Sequence, residues 1–182
     1  MQKIMFNDKF GLTKAVLEGR KTMTRRIVNF DRVPTLIPGR IAECCLKYAP
    51  FKVGEVVAIA QAYKEIHEKE NISPIEMINR DRYEKSAGWN NKMFVRASLM
   101  YHHIRITNVR VERMQDISEE DCLREGIFFY NCGIDCGYTF FGERHRYGTP
   151  RNAFAALIAK VSGKGVWDSN PFVFVYEFEL VK

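Results

Sequence analysis

The chain has 182 residues, 46% of them hydrophobic and 27% charged, the size and balance of one globular domain of roughly 100–200 residues. No apolar run approaches the roughly 20 residues of a membrane span, and the opening Met1-Gln2-Lys3-Ile4-Met5-Phe6-Asn7-Asp8 lacks an apolar stretch ending at a small-residue cleavage site, which points to a cytoplasmic protein. Five cysteines argue against a closed disulfide framework, and the net charge of +6 is uneven: residues 1–40 hold nine Lys or Arg against three acids, while the remainder balances.

In chain order, residues 3–6 read as a short strand. Asn7 or Asp8 caps a helix that carries Leu12, Ala15 and Val16 at helical spacing, with Gly19 just past its end. Residues 22–28, rich in β-branched side chains, predict a strand, and Pro34 and Pro38-Gly39 punctuate a loop. The run Val56-Val57-Ala58-Ile59-Ala60 predicts a strand buried on both faces. Residues 64–91 are polar and charged, with helical character near 74–85, and read as an insertion. A strand is expected at 92–97, and 104–111 alternate apolar and polar as a half-exposed antiparallel strand does. Ser118 followed by Asp121, with Gly126 as a stop, marks a short helix. A second insertion, with strand pieces, covers about 129–149. Thr149-Pro150 opens a helix through Phe154, Leu157, Ile158 and Val161, and 171–181 close the chain as a strand. Strands outnumber helices and show no regular βαβ alternation. The expected fold is therefore α+β, a small mixed β-barrel with helices outside it.

The most concentrated chemistry is Gly19-Arg20-Lys21-Thr22-Met23-Thr24-Arg25-Arg26. In a strand, Thr22, Thr24 and Arg26 share one face, and Lys21, Met23 and Arg25 the other. A hydroxyl two residues from an arginine suits a phosphate or an oxyanion. A lysine whose pKa burial lowers suits a proton acceptor. The plainer alternative is a solvated basic strand edge, although clustered positive charge also suits a polyanion. Cys44, Cys45, Cys132 and Cys136 could hold zinc only if folding gathers them; small buried hydrophobes are the plainer reading. His102 and His103 would point to opposite faces of a strand. His145, between Arg144 and Arg146, suits a phosphate contact. Tyr63, Trp89 and Tyr138 suit base stacking, whereas Phe172, Phe174, Tyr176 and Phe178 read as core.

Gly19-x-Lys21-x-x-Thr24-x-Arg26 resembles the opening signature of the ASCH family, whose domains adopt a PUA-like β-barrel. Val16-Leu17-Glu18 leading into that motif, Val109-Arg110-Val111-Glu112-Arg113 running into the 116–126 helix, and Trp167-Asp168-Ser169-Asn170-Pro171-Phe172-Val173-Phe174 are similar to a larger bacterial and phage-associated subgroup. The blocks stand in family order from end to end. The resemblance implies one PUA-like domain over 1–182, a mixed β-barrel with flanking helices and insertions at about 64–91 and 129–149. It implies RNA or a modified nucleoside as partner, without cofactor or metal. One branch of the family hydrolyses N4-acetylcytidine to cytidine and acetate, and its catalytic lysine, threonine and glutamate match Lys21, Thr24 and Glu125. On that reading Thr24 attacks the acyl carbonyl or orients water, and Lys21 takes the proton. Glu125 holds the substrate amide or protonates the leaving amine. Arg20, Arg25 and Arg26 would meet phosphate, Arg26 also steadying an oxyanion. Binding of RNA or a modified nucleoside is the expectation, with amidohydrolase and ribonuclease activities as alternatives. One departure from the subgroup follows Gly54-Glu55, where Ala60 and Gln61 replace an expected Arg and Glu.

Overall fold

A computed structural model describes residues 1–67 and 82–181. The chain divides into two compact units whose segments interleave in sequence. The first comprises Met1–Phe6, Val56–Ile104 and Leu180–Lys182, the second Asn7–Glu55 and Arg105–Glu179. The strands among the described residues are β1 (Lys3–Ile4), β2 (Met23–Ile27), β3 (Val56–Ile59), β4 (His103–Arg113), β5 (Phe128–Cys132), β6 (Asp135–Thr139) and β7 (Phe172–Val181). The helices are α1 (Leu12–Leu17), α2 (Ile41–Lys47), α3 (Tyr63–His67), α4 (Glu119–Arg124), α5 (Pro150–Val161) and α6 (Val166–Ser169). The architecture is mixed α and β. Five strands follow the order β1-β3-β4-β7-β2, and β5 pairs with β6 as a separate hairpin. Among the described residues β1 and β2 are the two ends of that order, and no closed barrel is detected.

In the first unit, β1 runs parallel to β3, with Lys3 opposite Ala58 and Ile4 opposite Ile59. Val57, Ala58, Ile59 and Ala60 are buried, as a continuous apolar run requires of a strand covered on both faces. The strand expected at 92–97 is instead two 3₁₀ turns, Lys92–Phe94 and Ala97–Leu99. Two polar groups account for the difference. The Asn91 side chain accepts the Met93 N–H, and the Lys3 ammonium takes the carbonyls of Lys92, Met93 and Val95, so these carbonyls point at a cation rather than along a ladder. Most of the helical character expected near 74–85 lies outside the described residues.

The second unit is organised around β2, β4 and β7. In β7, Val173, Phe174, Val175 and Tyr176 are all buried, so the aromatic stripe is core. β2 runs antiparallel to β7, setting Thr24 opposite Tyr176 and Arg26 opposite Phe174. Helix α5 begins where Thr149 accepts the Asn152 N–H and Pro150 supplies its fixed φ. It buries Ala153, Phe154, Leu157 and Ile158; each large apolar side chain so removed from water stabilises the unit by roughly 1.5–3 kcal/mol. Helix α2 follows the loop that Pro34 and Pro38-Gly39 punctuate, in a stretch where the sequence predicts no element. It forms because Ile41, Cys44 and Cys45 recur at helical spacing, and the two cysteines are buried.

Candidate active site

The signature segment enters β2 after α1 ends. Gly19, at φ +73°, turns the chain, and the Lys21 N–H closes on the Ala15 carbonyl. Thr22 then bonds to the last turn of α4, its N–H donating to the Arg124 carbonyl at 3.0 Å. That backbone contact joins the two motifs which sequence separates by about a hundred residues, and it sets Lys21 beside the C-terminal end of α4. The helix starts where the Ser118 hydroxyl accepts the Asp121 N–H. It stops at Glu125, and Gly126, at φ +107°, leads the chain away. A side chain at Gly126 would meet Leu12 at 3.4 Å.

Lys21 and Glu125 meet in the interior. The ammonium donates to Glu125 Oε2 at 2.5 Å and to the Glu125 carbonyl at 2.8 Å, and the side chains are 2% and 5% exposed. Burial holds the Lys21 pKa below the ordinary lysine value; Glu125 opposes the shift, while the Arg26 and Arg25 cations add to it. Thr24 is buried one residue before Arg25, on the β2 face it shares with Arg26 and cross-strand Tyr176. Arg26 is in electrostatic reach of both Glu125 and Lys21. Lys21 and Glu125 are thus in contact, with Thr24 three positions further along the chain from Lys21.

Arg25 takes a different place from the one expected. Rather than meeting phosphate, its guanidinium donates to Glu125 Oε1 at 3.1 Å, to Glu112 Oε1 at 2.6 Å and to Asp121 Oδ2 at 2.9 Å, with 1% of the side chain exposed. Burial disfavours its charge, but these three carboxylates outweigh it and raise the Arg25 pKa. The network continues through Arg110, which bonds Glu112, Asp121 and Glu177, and through Arg124, which bonds Glu177 at 2.8 Å. Four cations (Lys21, Arg25, Arg110, Arg124) face four carboxylates (Glu112, Asp121, Glu125, Glu177), with Arg26 beside them. Glu112, Asp121, Arg110, Arg124 and Glu177 were not singled out from sequence. Their signal was present: Arg110 and Glu112 alternate on one face of a strand, and Asp121 and Glu125 lie four apart on a helix. Arg20 is exposed and bonds Glu18 through Nε and Nη2. Arg26 and Ile27 border a cavity of about 110 Å³ with Val33, Tyr48 and Phe174.

The remaining candidates are dispersed. Cys44, Cys45 and Cys122 are buried and Cys132 and Cys136 exposed, and no metal-holding group of three or more His, Cys, Asp or Glu occurs among the described residues. Burial pushes the Cys122 thiol up to about 12, which makes it inert. His102 and His103 are half-buried and His145 is exposed. Gln61 accepts the N–H groups of Tyr101 and His102 through its amide oxygen. Tyr63 stacks on Tyr83 at 4.3 Å. No helix among the described residues is long and apolar enough to cross a membrane. Comparison with family models, with curated proteins and with solved structures finds no match to this chain.

Proposed function

We propose that the second unit is the working part of a PUA-like, ASCH-type protein that binds a modified nucleoside and hydrolyses its exocyclic amide, as in N4-acylated cytidine. One observation carries the proposal: Lys21, buried, lowered in pKa and three positions along the chain from the buried Thr24, stands in contact with Glu125. A general base needs a lysine whose proton is held less tightly than usual, and burial moves Lys21 in that direction. Lys21, once neutral, takes the proton of Thr24 as its oxygen bonds to the acyl carbon. The acyl C–N bond then breaks, the leaving amine is protonated from the Lys21–Glu125 pair, and water hydrolyses the Thr24 ester. Arg26, on the Thr24 face, suits the developing oxyanion.

A second reading, binding of RNA or a modified nucleoside without turnover, is favoured by the Lys21–Glu125 contact at 2.5 Å, which tends to keep the lysine charged and the pair suited to an amide or anion. The ribonuclease alternative has only the adjacent, half-buried His102 and His103 in its favour. A nucleoside panel that includes N4-acetylcytidine, followed by chromatography, tests the first reading. The expected products are cytidine and acetate, with turnover falling at least 100-fold in Lys21→Met and in Thr24→Val. Saturable binding without product would leave the second reading, and neither binding nor product would overturn both.

A further inference from the structure

Within the first unit lies a cavity of about 310 Å³, at the size where small-molecule sites begin, roughly 300 Å³. We propose that it is a second binding site, taking a neutral, planar heteroaromatic ring of the nucleobase kind. Its lining is largely aromatic: Tyr63 and His67 of α3, Tyr83 and Tyr101, with Ile66 and Met100. Among the described residues that line it, none is Asp, Glu, Lys or Arg, so these side chains offer a phosphate or a sugar acid no counter-charge. Phenol hydroxyls and an imidazole instead offer edge hydrogen bonds to a ring with polar rim atoms.

The walls are held in place independently of any ligand. Tyr83 stacks on Tyr63 at 4.3 Å and on His67 at 5.1 Å. Tyr63 lies so close to Gly88 that a Cβ there would meet its ring at 2.5 Å, and its N–H bonds the Gly88 carbonyl. The Gln61 oxygen holds the Tyr101 N–H at 2.8 Å, and Met100 is buried. Such a space loses little entropy on binding because its side chains are already fixed. The site is separate from the Lys21 pair and owes nothing to that reading.

The test is titration of the full chain, labelled at the methionine methyls, with adenosine, cytidine, a pentaribonucleotide and ribose 5-phosphate. The Met100 methyl resonance should shift saturably with a nucleoside or with the pentaribonucleotide, and not with ribose 5-phosphate. Saturation by nucleosides alone identifies a free ligand; saturation only by the oligomer identifies a base presented by a strand; both support the site. Tyr83→Ala should weaken binding about 10- to 100-fold, the range for one lost base–aromatic stack, and Tyr83→Phe should change it less than about threefold. Ser98→Trp, which adds bulk among the lining residues and removes no packed ring, should abolish the shift while the circular dichroism is unchanged. A Met100 methyl that no probe moves, or saturable binding that survives both Tyr83→Ala and Ser98→Trp, would overturn the proposal. Either result leaves hydrolysis at Lys21 to be judged by its own assay.

Discussion

Lys21 is under two opposing pressures, desolvation that expels its proton and a carboxylate that retains it. Because desolvation prevails, the folded chain holds this proton less tightly than the unfolded chain does. Between the folded pKa and the ordinary 10.5, the unfolded chain therefore binds the extra proton, and stability rises with pH through that window. Activity should follow the same ionisation: kcat/KM for an acylated nucleoside rises with pH through a single step below 10.5. Arg26→Gln removes a cation that lowers the Lys21 pKa, so the step should move to higher pH; a profile that stays put would exclude Lys21 as the titrating base. The pair is also asymmetric in stability. Glu125→Ala leaves the buried Lys21 without its counter-ion and should cost about 3–5 kcal/mol. Lys21→Met leaves Glu125 still bonded to Arg25 and should cost less. Urea unfolding of the two variants checks the order.

At the scale of elements, α4 is a six-residue helix that delivers two carboxylates, Asp121 from its first turn and Glu125 from its end. A helix this short has little intrinsic stability, so its cap and its tertiary contacts decide whether it forms. Ser118→Ala removes the acceptor for the Asp121 N–H and should cost about 1 kcal/mol, read from the unfolding midpoint. Loss of ten-fold or more in turnover with the fold intact would show that fraying of α4 displaces Glu125. Arg25 ties α4 to β2 and β4 through Asp121, Glu125 and Glu112. Its planar fork serves three carboxylates at once, a geometry that the single ammonium of lysine does not reproduce.

For the whole molecule, the basic N-terminal stretch is less of a free positive field than its count suggests. Lys21 and Arg25 are buried in ion pairs, Lys3 donates to three carbonyls, Arg20 and Lys14 share Glu18, and Arg40 pairs with Glu43. Lys9 and Arg32 stay exposed. Any RNA affinity should accordingly respond to the surface cations and not to the buried ones. The double variant Arg20→Ala, Arg32→Ala should flatten the log–log salt dependence by about 0.7 per lost phosphate contact, and Arg25→Lys should leave the slope where it was. A slope set by Arg25 would contradict its burial.

What the sequence by itself determined were features that depend on neighbours along the chain. Periodicity placed β2, β3, β4 and β7, the Ser118 and Thr149 caps placed α4 and α5, and alternation put Met23 and Arg25 on one side of β2 with Thr24 and Arg26 on the other. Tertiary structure decided what lies across space. The 92–97 segment became two 3₁₀ turns because Lys3 claims its carbonyls, and the strand order of the five-stranded sheet depends on which edges meet. Arg25 reads in sequence as one more surface cation. It is a buried clamp because three carboxylates from β4, α4 and the α4 terminus converge on it, and their separations of 87 to 100 residues leave no trace in local spacing. The depressed lysine has the same origin: desolvation belongs to the packed interior, and no residue adjacent to Lys21 in the chain announces it.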